Sequence, residues 1–436
     1  MEKRASNLEL LRILSMFMIV VHHFAFHGTF DFKTITNTNQ GALLATLILE
    51  SFGKVGVAIF VLIGAYFLVE KNFSFKRIIN LVILTSFYSI TIYIVLKLLK
   101  YGIPSDYSWT KIIFPYPIPT NYWFVTSYIV MLLSMPMLNI VIRNINRRKH
   151  IYILLFLTIF IVLIPDLYSY FPGKMDIWIG QFGATDATYF IYLYFIASYF
   201  RLYSNKLTRN WEYWLILVVI GNILLFLTVF IVAIPDLYSY FPGKMDIWIG
   251  QFGATDATYF IYLYFIASYF KLYSSKLTRK WEYWLILIVI GNILLFISYS
   301  LPLFMSDVTH NYLNYSQLMI GQNSTVITMV AVSIFMLFVN IDIGKIRYIN
   351  YISASMFGVY LLHENAFLRP IIWNYINNNR FTTFTSMITN GLKYSFLIFI
   401  ICILIDIVFR RILFEKKINN LSLKLGNYLD KKLLEK

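Results

Sequence analysis

The first apolar segment of the chain carries a stripe of ionisable side chains. Arg12 and His23 are eleven positions apart, so a helix that turns about 100° per residue places them within about 20° of one face. Glu9 lies three residues before Arg12 and is its neighbour on that face, whereas His22 points about 100° away from His23. Imidazole titrates near neutral pH and is a common general base. The stripe therefore places an acid and an arginine at one end of a helix and a candidate base about 16 Å along its axis.

A histidine inside an apolar helix also has a simpler interpretation. Buried polar side chains of membrane helices often do no more than hydrogen-bond a neighbouring helix, although ionisable groups at this depth are costly enough to be functional candidates. The alignment of His23 with Arg12 favours a functional role over a purely structural one.

The composition places such a helix in a membrane. Of the 436 residues, 59% are hydrophobic and only 13% are charged, against roughly 25% charged residues in soluble domains. This excludes an ordinary soluble enzyme and a disordered protein. The net charge of +16 falls in short clusters between apolar runs, which excludes a nucleic-acid partner and is typical of membrane topology signals. The single cysteine, Cys402, excludes a disulfide framework and a multi-cysteine metal site.

Apolar runs of about 20 residues predict an all-α, polytopic membrane helix bundle. We predict twelve transmembrane helices, near residues 8–28, 52–70, 77–99, 121–142, 150–164, 187–203, 211–234, 257–273, 281–301, 323–340, 351–373 and 391–413. With a cytoplasmic N-terminus, this topology puts 27 of the 37 Lys and Arg residues on the cytoplasmic side, where positive charge is normally found. Both termini are therefore expected in the cytoplasm.

The middle of the sequence contains a tandem repeat. Residues 153–222 recur at 223–292 with six mismatches, at positions 159/229, 163/233, 201/271, 205/275, 210/280 and 218/288. Two nearly identical copies indicate a recent duplication rather than a repeat architecture of divergent units. Each copy contributes two predicted spans, so the helices that follow keep their orientation. The twelve spans are thus interpreted as a ten-helix core plus two helices from the duplication.

Four blocks of the sequence, distributed from residue 7 to residue 373, resemble the membrane-bound acyltransferase-3 family. They are Asn7–His23, Gly53–Leu68, Tyr122–Tyr128 with Pro136, and Ser353–Asn365 with Arg369 and Trp373. In the first block the family has an acidic residue, an arginine and a histidine eleven positions later. Two departures stand out: Ile63-Gly64 replaces the family's Ser-Gly pair, and Lys76-Arg77 replaces its arginine pair.

This resemblance implies transfer of an acyl group, usually acetyl from acetyl-CoA, to a carbohydrate or lipid-linked glycan. CoA carries phosphates, which basic side chains bind, and the family blocks place Arg12, Lys76 and Arg77 at the donor site. The catalytic candidates are His23 and Glu9 of the first block, with His23 as the base that takes a proton from the acceptor hydroxyl.

The last block supplies a third catalytic candidate, His363, for which three roles remain open: orienting His23, binding the acceptor, or bridging helices. Substrate-binding candidates from the family blocks are Tyr66, Trp123, Glu364 and Arg369. No metal is expected.

The remaining ionisable residues of the apolar segments receive structural interpretations. His27, His150 and His310 lie near predicted membrane boundaries and are expected to be solvated. Asp406 and Arg410 are four residues apart, and such a pair usually satisfies itself.

The resemblance also implies where the protein works. We expect residues 1–413 to form one membrane-embedded domain in the bacterial plasma membrane. Residues 414–436, with leucines at three-to-four spacing and lysines between them, predict a basic amphipathic cytoplasmic tail that lies on the inner leaflet or remains a solvated tail. The expected partners are the acyl-CoA donor, the glycan acceptor and the bilayer.

A second function class also suits a bundle of this size, namely a transporter or flippase for lipid-linked glycans. Transporter repeats, however, are usually divergent and divide the whole fold into halves, whereas this repeat is nearly identical and central. Consumption of acetyl-CoA distinguishes the two classes.

Overall fold

The computed structural model describes residues 6–30, 40–68, 71–101, 109–113, 115, 119–144, 263, 284–293 and 325–434. All the regular elements in these ranges are helices, which confirms the all-α prediction. In chain order they are α1 (Ser6–Phe26), α2 (Gln40–Leu68), α3 (Phe75–Leu98), α4 (Trp109–Ile113), α5 (Pro119–Asn144), the segment Trp284–Ile293, α6 (Thr325–Asn340), α7 (Arg347–Ser353), α8 (Met356–His363), α9 (Leu368–Ile376), the 3-10 turn Asn378–Arg380, α10 (Phe384–Ile405), the π-helical segment Asp406–Phe414 and α11 (Glu415–Leu433).

Three helices of the described ranges are long and apolar enough to cross a membrane: Ser6–Phe26, Gly41–Leu68 and Phe75–Leu98. They correspond to the first three predicted spans, although α2 begins twelve residues before residue 52. The predicted spans at 150–164, 187–203, 211–234 and 257–273 and most of the repeat lie outside the described residues, apart from Leu263 and Trp284–Asn292. The total of twelve therefore stays a prediction.

The chain divides into two compact units. The first contains Met1–Gly56, Lys71–Leu133 and Ile343–Lys436, and the second contains Val57–Glu70 and Ser134–Asp342.

Helix α1 is central to the first unit and packs against α7, α8 and α10. Its Phe24 is completely buried and meets the rings of Trp373 and Phe381, with centroids 6.4 and 6.3 Å away. Gly56 lets α2 approach α1 closely, since an added Cβ there would lie 2.7 Å from the Ser15 carbonyl oxygen. Close packing of this kind stabilises contacts between membrane helices through many small van der Waals attractions.

The predicted continuous span at 351–373 is wrong, because the structure divides this region into α7, α8 and α9. Helix α7 gives way to α8 at a turn in which the amide of Ser355 donates to the Ile352 carbonyl oxygen over 2.9 Å. Helix α8 ends at His363, and the side chain of Asn365 accepts from the amide of Phe367 over 3.0 Å. Asparagine side chains that bond their own backbone in this way favour turns over continuous helix.

The C-terminal helix α11 packs along α3 in the first unit. Ile418, Ser422 and Gly426 are its buried residues, one helical turn apart, so the helix has one distinct buried face. The leucines of the predicted apolar stripe do not form this face, because Leu421, Leu425 and Leu433 are 47%, 42% and 56% exposed. Asp430 accepts from Ser74 Oγ over 2.6 Å and from the Phe75 amide over 2.7 Å. The location of this helix on the inner leaflet stays a prediction.

In the second unit, the last part of α2 contacts α6. The rings of Tyr66 and Phe335 meet edge to face at 5.7 Å, and Phe335 is fully buried. Gly291 faces Val330 and Met329 of α6 so closely that an added Cβ would lie 2.9 Å from the Met329 Cε atom.

Replacing Asp430 with alanine is expected to loosen the contact between α11 and the start of α3. The free amide of Phe75 would lose its acceptor, and caps of this kind contribute about 1 kcal/mol. Faster hydrogen exchange at residues 75–78 and faster proteolysis within 415–434 measure the loss. Glu415→Ala is the matched control, because Glu415 is an acid of the same helix whose side chain is 41% exposed. Equal protection in Asp430→Ala and in the unaltered protein would contradict the capping role.

Candidate active site

Two histidines from opposite ends of the sequence meet inside the first unit. His23 is near the end of α1 and His363 is the last residue of α8. His23 Nδ1 lies 2.8 Å from His363 Nε2, and both residues are buried. The structure thus brings together the two histidines that the sequence singled out as catalytic candidates.

The hydrogen bonds of His363 fix which ring nitrogens carry protons. His363 Nδ1 lies 2.6 Å from the Val359 carbonyl oxygen, which can only accept, so His363 Nδ1 donates. In a neutral imidazole the other nitrogen then accepts, and His363 Nε2 takes its hydrogen bond from His23 Nδ1–H. The remaining nitrogen of His23, Nε2, is therefore left with its lone pair, as a general base requires.

Glu364 directs a carboxylate oxygen at the same histidine. Its Oε1 accepts from Arg369 Nη1 over 2.7 Å and lies 3.2 Å from His27 Nε2. Its Oε2 lies 3.3 Å from His23 Nδ1 and makes no hydrogen bond within the described part of the structure. One oxygen of Glu364 is thus held by donors, while the other lies near the protonated nitrogen of His23. This arrangement would stabilise His23 once it becomes positively charged.

His27 belongs to this cluster, so the expectation that it is merely solvated is wrong. Its side chain is only 18% exposed, and its ring centroid lies 5.0 Å from that of His23. The sequence spacing could have predicted this, because His23 and His27 are four positions apart and therefore lie on one helix face. His150 and His310 lie outside the described residues.

Two supporting residues, Tyr122 and Asn365, are not identified by the sequence analysis. The Tyr122 hydroxyl donates to the Leu361 carbonyl oxygen over 2.8 Å and accepts from Asn365 Nδ2 over 2.9 Å. Both residues stand inside the family-like blocks next to candidates that were chosen, Trp123 and Glu364. Only the fold reveals that they fix the turn after α8.

The arginine of the helix stripe is part of a second cluster at the start of α1. Arg12 Nη1 donates to Glu9 Oε2 over 2.6 Å, and Ser353 Oγ donates to the same oxygen. Glu9 precedes His23 by fourteen residues on one helix, which is about 21 Å along its axis. The structure therefore places Glu9 beside Arg12 and does not bring it to the histidines.

The other two donor-site candidates lie at the start of α3. Lys76 is exposed, and Arg77 Nη1 donates to the Asn72 carbonyl oxygen over 2.8 Å. Arg12 and Arg77 both interact electrostatically with Tyr128 of α5.

The two aromatic substrate-binding candidates differ in their surroundings. Trp123 belongs to the first unit, half-buried next to Phe124 with ring centroids 6.1 Å apart. Tyr66 belongs to the second unit, where it contacts Phe67 and Phe335.

Asp406 and Arg410 satisfy each other, as the sequence predicts, and they also hold α8 in place. Arg410 donates to both Asp406 oxygens, over 2.6 and 2.7 Å, and to the Ala354 carbonyl oxygen over 3.1 Å. The Tyr88 hydroxyl of α3 donates to Asp406 as well. Gly358 of α8 lies against this carboxylate, and a Cβ there would overlap it. The cluster consequently anchors the helix that ends in His363.

One group of described residues has the composition of a metal site. The ligand atoms of His23, His363 and Glu364 all lie within 4.8 Å of one another, and all three residues are buried. For acyl-CoA, the residues that suit its phosphates are the exposed or half-buried basic side chains Arg12, Lys76 and Arg77.

Comparison with protein families gives one match. A family model described as an acyltransferase domain matches residues 6–248, which are 243 of the 436 residues. The matched range includes α1 with its histidine and arginine, and it ends before α6. No curated protein matches the chain, and no solved structure matches it.

Arg369→Gln is expected to destabilise the protein because it removes a charged partner from a buried carboxylate. Hydrogen bonds to charged groups contribute about 1.5–3 kcal/mol, so the free energy of unfolding should fall by about 2 kcal/mol. Thermal unfolding in detergent measures this loss. In Glu364→Gln/Arg369→Gln the loss should be smaller than the sum of the two single losses, because the charge that needed the arginine is gone. Strictly additive losses would show that the pair does not interact.

Proposed function

The chain belongs to the acyltransferase-3 family, and on that premise we propose that it moves an acetyl group from acetyl-CoA to a hydroxyl of a cell-surface or exported polysaccharide. Family membership makes the protein a membrane acyltransferase, which favours this class over a transporter. The observation that carries the proposed general-base mechanism is the hydrogen bond from His23 to His363, since it leaves His23 Nε2 with a free lone pair. The acetyl donor and the polysaccharide acceptor rest on the family resemblance.

In the proposed reaction, His23 Nε2 takes the proton of the acceptor hydroxyl as its oxygen attacks the thioester carbonyl carbon. The new C–O bond forms, the C–S bond breaks, and the CoA thiolate takes the proton back from His23 Nε2. The base ends in its original state. His363 acts as a positioning residue, because it touches only the opposite nitrogen of the His23 ring.

Glu364 supports the charged state of the base during this cycle. When His23 holds two protons, its Nδ1–H faces the Glu364 Oε2 atom at 3.3 Å, and an opposite charge at that distance favours the imidazolium. Arg369 and His27 keep the carboxylate turned in this direction. A preorganised charge of this kind stabilises the transition state without reorganisation.

The donor is proposed to bind at the cytoplasmic end of α1. Arg12, Lys76 and Arg77 would contact the CoA phosphates, and Glu9 with Ser353 orients Arg12. The eleven residues from Arg12 to His23 span about 16 Å of helix axis, which the extended pantetheine arm would follow. This placement of the donor rests on the cytoplasmic N-terminus that the sequence predicts.

The acceptor is proposed to approach from the side of Arg369 and His27. Their side chains are 27% and 18% exposed, against 7% for His23, so the outer members of the cluster are the accessible ones. We assign Glu364 and Arg369 to acceptor contacts beside the base, with Trp123 of the same unit as the aromatic candidate for a sugar ring. No metal is required for these steps.

His23→Ala is expected to lower acetyl transfer by about 10²–10⁴-fold, the usual contribution of a general base. Transfer of label from acetyl-CoA to cell-surface glycan, at equal amounts of membrane-inserted protein, measures the loss. His22→Gln is the control, because His22 is its neighbour on α1 but lies against the Glu50 carbonyl oxygen. A His23→Ala protein as active as the unaltered one would exclude this base. Absence of label even with the unaltered protein and a validated acceptor would favour glycan transport.

Arg12→Gln is expected to raise the KM for acetyl-CoA by about tenfold, since one hydrogen bond between charged groups contributes about 1.5–3 kcal/mol. The kcat should change little, because Arg12 is remote from the reacting atoms. Arg380→Gln serves as the comparison, as Arg380 contacts Tyr394 and Phe381 instead. A lowered kcat with an unchanged KM would place Arg12 in another role.

A further inference from the structure

We infer that a borderline dication such as Zn²⁺ binds between one ligand atom of His23 and two ligand atoms of neighbouring residues, and that it inhibits acyl transfer. The atoms are His23 Nδ1, His363 Nε2 and Glu364 Oε2, which belong to the compact buried group of potential ligands. Two imidazoles and one carboxylate are the donors of many open zinc sites, in which a fourth position remains for water or substrate.

Two of the three ligands already present a lone pair to this point. His363 Nδ1 donates to the Val359 carbonyl oxygen, so Nε2 has no proton, and metal-binding histidines are usually oriented by such a bond. Glu364 has its Oε1 held by Arg369 and His27, whereas Oε2 is buried without a hydrogen bond in the described part of the structure. Burying a carboxylate oxygen without a hydrogen bond costs free energy, and a bound cation would offset that cost by coordinating the oxygen.

All three ligand atoms lie within 4.8 Å of one another, and two of the three distances are close to those around a small ion. Tetrahedral zinc with bonds of about 2.0–2.1 Å holds its nitrogen ligands about 3.3 Å apart. His23 Nδ1 and Glu364 Oε2 are already 3.3 Å apart. His23 Nδ1 and His363 Nε2, at 2.8 Å, must separate by about 0.5 Å to reach that spacing. Rotation of the His23 ring would have to provide this change.

The surrounding charge favours weak, reversible binding of the ion over permanent binding as a cofactor. Glu364 contributes one negative charge, and Arg369 already neutralises it at 2.7 Å. A dication therefore adds unbalanced positive charge to a buried site, which weakens binding. Imidazole ligands nevertheless favour Zn²⁺, Cu²⁺ and Ni²⁺ over Mg²⁺ and Ca²⁺.

Binding would inhibit by moving one proton. The neutral His23 ring keeps a single N–H, which is on Nδ1 while it donates to His363. A metal ion on Nδ1 needs that lone pair, so the proton moves to Nε2 of the same ring and none is released. His23 Nε2 then has no lone pair with which to accept the proton of an acceptor hydroxyl. The inhibitory step rests on the proposed function, whereas metal binding does not.

Cobalt absorption tests the site directly. Full-length protein, purified in detergent and stripped with a chelator, is titrated with Co²⁺, whose visible bands are intense in tetrahedral sites. We expect one Co²⁺ per chain with visible bands, and Zn²⁺ should displace it. Glu364→Gln and His363→Asn should each raise the Kd by at least about tenfold, while His22→Gln should leave it unchanged. Two ligand variants are used so that one that fails to fold does not end the test.

The same preparations are assayed for acetyl transfer with Zn²⁺ and with chelator. Inhibition with a constant equal to the Kd, reversed by chelator, supports the inference. Absence of the bands, or a Kd equal in all variants, overturns the site. Full activity of the zinc-saturated protein overturns the inhibitory step. Metal binding by a protein without transfer activity would instead leave the site standing and contradict the proposed function.

Discussion

A carboxylate buried among apolar helices needs donors around it, because an ionised group loses several kcal/mol of hydration on burial. Among the described residues three acids are buried, and each pairs with an arginine three to five positions later. The pairs are Glu9 with Arg12, Asp406 with Arg410, and Glu364 with Arg369. A local arginine balances the charge of each acid, and each carboxylate then binds a side chain from a distant part of the sequence. These distant partners are Ser353, Tyr88 and His27.

All three clusters converge on one short stretch, residues 353–364. Glu9 holds its start through Ser353, the Asp406 cluster holds its middle at Ala354 and Gly358, and Glu364 is its end. Helix α8 has only eight residues, too few to be stable alone, so these clusters determine where His363 lies. The proton arrangement of the histidine pair is in this sense a consequence of charge pairing elsewhere in the unit.

The sequence predicts some of this site and necessarily misses the rest. The stripe of α1 is readable because helical periodicity fixes relative directions along one element, and the pairing of Asp406 with Arg410 follows from four-residue spacing. The division of 351–373 into three helices is hidden, because its residues are as apolar as a continuous span and the breaking turn depends on the side chain of Asn365. The contact between His23 and His363 joins residues 340 positions apart, and no local pattern encodes it. The family resemblance identifies both histidines as candidates, but it does not predict which ring nitrogen of each histidine carries the proton.

The cap that Asp430 places on α3 has a consequence for the order of assembly. Helix α3 begins at Phe75, yet the acceptor for its first amide is synthesised 355 residues later. At about 5–20 residues per second, the ribosome needs at least about 18 s to make that stretch. During this interval the start of α3 lacks its Asp430 acceptor. Helix α1 likewise lacks its packing partners α7, α8 and α10 until they are synthesised. The first unit therefore completes its packing late, after residues 134–342, which belong to the second unit, have been synthesised. Proteins whose contacts are so distant in sequence fold slowly and depend on protection while incomplete.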